Sequence, residues 1–166
     1  LAVNGNQVFL GLRGPVLRGW AIILELELEC SGPGVLSLKE LEDGVFYRKH
    51  FLDLNGQGIR ELCLHDGDLI ILAGPTMDLE GAMQMFRLED VLDHSNDTLW
   101  DQDSGVLKVL FDLPFTIGSD HAEGLALIPC MGYEDGLMVV YDSPDKNRLT
   151  EKKSVFVDIF RLPGEV

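Results

Sequence analysis

The sequence predicts an all-β fold built from one antiparallel unit used about three times. Three observations carry this reading. Hairpin-type turn signals recur along the chain, each is framed by apolar runs in the same order, and helical periodicity is nearly absent. The turn signals are Asn4-Gly5, Asp66-Gly67 and Asp135-Gly136. Asn, Asp and Gly best tolerate the positive φ angles that a two-residue hairpin loop imposes.

Each turn signal follows a short apolar alternation, at Leu1-Ala2-Val3, Leu62-Cys63-Leu64 and Leu125-Ala126-Leu127. Each is followed by an extended apolar run, at Val8 to Leu10, Leu69 to Leu72 and Leu137 to Tyr141. Every run then meets a proline, Pro15, Pro75 or Pro144. Third strands are expected at Trp20 to Leu28, Ala82 to Leu88 and Val155 to Leu162, the last two sharing a Phe-Arg-Leu ending. Fourth strands are expected at Val45 to Leu54 and Val106 to Leu113, closing alike on Phe51-Leu52-Asp53-Leu54 and Leu110-Phe111-Asp112-Leu113. The long connections Glu29 to Gly44 and Glu89 to Gly105 have room for a short helical turn at Leu36 to Leu41 or at Asp90 to Asp93. Asp93 to Asp103 lacks the Gly and closing Glu of a hand-type calcium loop, so it reads as a solvated connection.

Four antiparallel strands per unit, repeated along the chain, is the sequence habit of a β-propeller. The expected blades are 1–54, 55–113 and 114–166, the last without an outer strand. Three blades close no ring and leave two apolar faces wet. The chain therefore reads as the C-terminal half of a six-bladed ring, completed by blades from an N-terminal part or from another copy. A β-sandwich with coincidental turn signals is the competing fold.

Composition narrows the partners. The chain is an acidic protein of 166 residues, with 28 acidic against 13 basic side chains and a net charge of −15. That balance speaks against nucleic acid and against anionic membrane surfaces. With 46% hydrophobic residues the chain is no disordered segment, and no apolar run approaches the roughly 18 residues of a membrane helix. Cys30, Cys63 and Cys130 stand alone, so neither a disulfide framework nor a zinc site is expected. A reducing, cytoplasmic setting is favoured. Because residue 1 is Leu, upstream sequence is expected and a targeting segment is not legible.

The connectivity of such units gathers the loops between second and third strands, and those entering each unit, on one face. These loops carry Arg13, Arg18, Arg60, Asp78, Glu80, Asp120, His121, Glu123 and Asp142. Arg13 and Arg18 flank Pro15 in a Gly-rich run, where guanidinium forks and exposed amides suit a carboxylate or phosphate. Arg13, Arg18, Arg60 and Asp142 are thus the expected ligand-binding residues for an anionic small molecule. The competing role for the arginines is to tie units together through carboxylates such as Asp53 or Asp112. His121 and Glu123 alternate onto one side of a strand start and are candidates for acid–base catalysis. Asp120 and Glu123 are candidate ligands of a divalent cation such as calcium, as in a metal-assisted hydrolase. The competing role of His121 and Glu123 is a buried hydrogen-bonded pair that fixes the loop. A non-catalytic protein-interaction scaffold is the alternative function.

The run Phe9-Leu10-Gly11-Leu12-Arg13-Gly14-Pro15-Val16-Leu17-Arg18-Gly19-Trp20-Ala21 resembles the hallmark of a bacterial family of unknown function, domain-of-unknown-function family 3616. Gly58 to Gly74 and His121 to Leu127 are similar to later parts of that family. The resemblance implies a longer protein, about twice this length, of which this chain is a C-terminal portion; it implies a fold and little chemistry. The start Glu123-Gly124-Leu125-Ala126 is also similar to phytase-like and lactonase-like propellers.

Overall fold

A computed structural model describes residues 1–76, 80–94, 96–130, 133–151 and 153–162, the side chains of residues 130, 133 and 134 excepted. The chain is all-β in the described residues. Sheet one contains β1 (Ala2–Asn4), β2 (Gln7–Gly11), β3 (Trp20–Gly32), β4 (Val35–Leu38) and β5 (Tyr47–Asp53). Sheet two contains β6 (Gly58–His65), β7 (Asp68–Gly74) and β8 (Met83–Leu88). The segment that follows holds a short 3-10 turn (Val91–Asp93), β9 (Thr98–Trp100) and a second 3-10 turn (Gln102–Ser104), after which β10 (Leu107–Leu113) completes sheet two. Sheet three contains β11 (His121–Cys130), β12 (Tyr133–Asp142) and, past a 3-10 turn at Lys146–Arg148, β13 (Asp158–Arg161).

The strand orders are β1-β2-β3-β5-β9 with β4 on β3, then β6-β7-β8-β10, then β11-β12-β13. The three sheets follow one another in sequence order, apart from β9, which leaves the second segment to join sheet one. Two of the turns follow from their residues. At Asp66-Gly67 both residues take positive φ, 50° and 96°, between the paired His65 and Asp68. The first hairpin places Gly5 and Asn6 in the loop, one residue later than expected, with Gly5 at φ 59°.

The third turn signal misleads. Asp135-Gly136 lies inside β12, with Gly136 opposite Ile128. β11 and β12 each extend further than their apolar alternation indicates, as far as the pair Cys130–Tyr133. Leu36 to Leu41 is also not helical. Val35–Leu38 pairs with the extended end of β3 across Gly34, which stands at φ 74°. Of the expected third strand Val155 to Leu162 only Asp158–Arg161 is strand, and Val155 makes an isolated bridge to Leu149.

Segment 93–103 is more than a solvated connection. It crosses from sheet two and adds β9, in parallel, to the outer strand β5 of sheet one. Trp100 is buried there, stacked on His50 at 4.9 Å between ring centroids and met edge-on by His94. An edge strand with free amides invites foreign pairing; β9 covers this one with the protein's own chain.

Burial explains why the sheets stack. Along β7, Leu69, Ile71 and Ala73 join Phe9, Ile23, Leu52 and Phe86 in a core between sheets one and two. Ile70 and Leu72 of the same strand join Met85, Leu137 and Val139 in a second core between sheets two and three. A strand buried on both faces reads as a continuous apolar run, as Leu69 to Ala73 does. Each fully buried large side chain contributes about 1.5–3 kcal/mol. Sheets one and three have one covered face each. Val3 and Leu99 on the first, and Val140 and Ile159 on the third, are exposed.

Candidate functional site

The charged residues of interest gather where the β2–β3 loop, the start of β6 and the start of β11 meet. Two matching irregularities aim them. On β6 the register shifts by one residue between the Ile59–Ala73 and Glu61–Leu72 pairs, and Arg60 is the extra residue. On β11 it shifts between Ala122–Tyr141 and Gly124–Val140, and Glu123 is the extra residue. Bulges re-aim side chains and stand in place of ladder pairs. Here they bring Arg60 Nη1 to 2.6 Å from Glu123 Oε1. Arg13, from the loop of sheet one, approaches the same oxygen at 3.4 Å. One carboxylate therefore joins all three sheets.

Arg60 is 5% exposed and its Nη2 also donates to the Pro75 carbonyl at 3.0 Å. Burial lowers its pKa, and the charge of Arg13 adds to that, while Glu123 opposes both. The residue stays cationic, as guanidinium groups do in proteins. Its shaft lies over Gly74, where a Cβ would stand 2.7 Å from Nε. Arg13 is 45% exposed. The expected ties to Asp53 or Asp112 do not form; those residues accept from Asn55 and Gln84 respectively.

The other candidates separate. Asp120, at φ 57°, turns its Oδ1 to the Asp145 amide at 2.8 Å and to Arg148 Nε at 2.9 Å. His121 opens β11 opposite Asp142, and its Nε2 is buried without a hydrogen-bond partner among the described residues. Asp142 is exposed and caps the Ser143 amide at 3.0 Å. Asp78 lies outside the described residues. Asp120 and Glu123 thus face different arginines, and among the described residues no group of three or more His, Cys, Asp or Glu could hold a metal ion.

Arg148 anchors a clasp in sheet three. Its guanidinium meets Asp158 through Nη1 and Nη2 at 2.9 and 2.8 Å, and lies 4.2 Å from the centroid of the Tyr141 ring. Tyr141 donates its hydroxyl to Asp158 at 2.6 Å. The hydrogen bonds from Arg148 hold the Asp158 carboxyl below the usual carboxylate range, against burial. Burial, with Asp158 beside it, pushes the Tyr141 phenol well up. A lysine cannot reproduce the two-pronged contact or the stack. Arg148→Lys is expected to lower stability by about 1–2 kcal/mol, read as a lower urea midpoint at unchanged slope.

Arg18 stands apart from both clusters, at φ 53° on the same loop as Arg13. It lines a groove of about 460 Å³ with Val16, Leu17, Trp20, Phe51 and Leu99, the last 69% exposed. Among the described residues Arg18 makes no ion pair.

Sequence reasoning missed one polar cluster. Glu25 of β3 and His50 of β5 are 2% and 1% exposed, with Glu25 Oε2 2.8 Å from His50 Nε2. His50 Nδ1 is 2.6 Å from the Thr98 hydroxyl. Glu25 Oε1 accepts from Gln7 Nε2 at 2.7 Å and from Arg48 Nη1 at 2.8 Å. The only signal was an alternation, Leu24-Glu25-Leu26-Glu27-Leu28, that continues the buried face of Ala21 and Ile23 onto Glu25.

Fold and site together define an all-β protein of three stacked antiparallel sheets, tied at one end by an arginine–glutamate cluster that each sheet helps to build. The chain belongs to the family described as "protein of unknown function (DUF3616)", whose model matches residues 1–158. Comparison with curated proteins and with solved structures returns no match.

Proposed function

We propose that the three sheets are consecutive blades of a β-propeller, and that the chain binds an anionic small molecule with an apolar body in the groove beside Arg18. The single observation behind the binding reading is that groove. Five of its six lining residues are apolar and the sixth is a guanidinium. Its size falls in the usual range for ligand pockets, about 300–1,000 Å³. A carboxylate or sulfonate head beside Arg18 would gain a charge-assisted hydrogen bond while its body covers Trp20, Phe51 and Leu99. What supports the propeller reading is the alignment of first strands. Leu1 meets Glu61 at 2.9 Å and Arg60 meets Glu123, so β1, β6 and β11 begin at one end.

A second reading, a non-catalytic protein-interaction scaffold, is favoured by Arg60. Its burial and its bond to Glu123 fit an inter-sheet tie better than an open anion site. The open faces of sheets one and three would then receive further blades, from the same polypeptide or from another copy.

The probe that separates the readings is 1-anilinonaphthalene-8-sulfonate, compared with its uncharged analogue N-phenyl-1-naphthylamine. The expected result is one saturable sulfonate site that Arg18→Gln weakens at least tenfold, with the uncharged probe unaffected. Equal loss of neither probe, or uptake of both without dependence on Arg18, would leave an apolar docking face and no anion site.

A further inference from the structure

A second cavity, of about 290 Å³, lies at the opposite end of sheet one from Arg18 and is lined by Asn4, Asn6, Gln7, Glu25, Glu27 and Arg48. Its walls follow from strand register. Gln7 faces Glu27 across β2 and β3, Glu25 faces Arg48 across β3 and β5, and the β1–β2 hairpin adds the two asparagines. The alternation from Leu24 to Leu28 puts both glutamates on one side of β3.

The floor is the buried Glu25 carboxylate. Gln7, Arg48 and His50 occupy three of its roughly four acceptor positions. Glu27 is paired with Lys39 at 2.5 Å. Two carboxylates therefore stand against two cations, and the pocket attracts neither a strong anion nor a metal cation. Without apolar walls it has nothing to offer a hydrocarbon body. Carboxylates accept from hydroxyl groups, a guanidinium donates to them, and primary amides do both. The volume sits near the lower end for ligand pockets, about 300 Å³, which suits a single ring.

We propose that this pocket binds a neutral polyhydroxylated molecule of hexose size. Hydroxyl groups would reach the amides of Asn4, Asn6 and Gln7 and the outward edges of Glu27 and Arg48. The site is independent of the groove at Arg18.

The test uses saturation-transfer NMR on the intact chain with D-glucose, D-galactose, D-mannose and myo-inositol, one at a time. At least one compound should receive saturation from the protein. Asn6→Leu and Glu27→Leu should each weaken that binding at least tenfold while leaving the melting temperature and the binding of the sulfonate probe unchanged. Glu25 is left intact because its removal threatens the fold. The proposal is overturned if none of the four compounds binds, or if binding survives both substitutions.

Discussion

Glu25→Ala is expected to lower the free energy of unfolding by about 3–5 kcal/mol, the cost of leaving the Arg48 guanidinium and the buried His50 ring without the carboxylate they share. The carboxylate is the hub of a chain that runs from Gln7 and Arg48 through His50 to Thr98. Its loss strands Arg48 and leaves His50 Nε2 facing a void. It also loosens β9, whose Thr98 is held by His50 and whose Trp100 stacks on the same imidazole. Urea unfolding reads the loss. Because the two residues touch, Glu25→Ala with His50→Ala should cost less than the sum of the single changes. The pH dependence has a definite sign. Burial raises the Glu25 pKa, but hydrogen bonds from His50 and Gln7 and the charges of Arg48 and His50 outweigh it, so the folded value lies below the ordinary one. A depressed carboxylate contributes stability above its unfolded pKa, and that contribution fades as pH falls through the folded one. The gap between wild type and Glu25→Ala should therefore be widest near pH 7 and narrow below about pH 4. A gap that is constant from pH 7 to pH 3 would rule out the ionised carboxylate as its source.

Much of the fold was legible because its signals are local. Apolar runs such as Leu69 to Ala73 report burial on both faces, and Asp66-Gly67 reports a turn that only a few residues accept. The failures share a cause. Asp135-Gly136 has turn chemistry, but β12 continues through it, where Asp135 meets His65 at 3.0 Å across the sheets. Residues 93–103 look solvated because their acidic and amide positions mask Leu99-Trp100, and nothing local says that Thr98 will pair in parallel with β5. Arg60 and Glu123 are expected on one loop face, Arg60 standing in the second segment where Glu123 stands in the third. Their mutual contact depends on bulges, which alternation cannot foresee. Tertiary pairing likewise decides that Asp120 turns to Arg148, and that Glu25 becomes a buried hub where the sequence offers only an interruption in an apolar run.

Gly58→Ala is expected to cost about 3 kcal/mol, at the upper end for overpacking, because it adds a methyl group where two backbones touch. A Cβ there would stand 1.9 Å from the Arg13 carbonyl oxygen and 2.8 Å from its carbon. Next to it, the Ile59 amide donates to the Leu12 carbonyl at 3.1 Å, so the β2–β3 loop is fastened to β6 at this point. Gly11 is a second close approach: its Cβ would meet Ile59 Cγ2 at 2.3 Å and Ile59 Cβ at 3.0 Å, on a buried β-branched side chain with little freedom to turn. Gly5 provides the contrast, with nothing within 4 Å of the added atom and only its φ of 59° against it; Gly5→Ala should cost about 1 kcal/mol. Unfolding midpoints that fail to rank Gly58→Ala below Gly5→Ala would show that the loop does not lie against β6 as described. The same substitution reaches the groove. Lifting Leu12 and Arg13 off β6 draws Arg13 away from Glu123 and shifts the loop that carries Val16, Leu17 and Arg18. Arg60 and Glu123 keep their 2.6 Å bond, since neither sits on that loop. Folded Gly58→Ala protein should then bind the sulfonate probe more weakly than wild type. That loss ties the proposed groove to the junction between sheets one and two, because Gly58 itself lines no part of it.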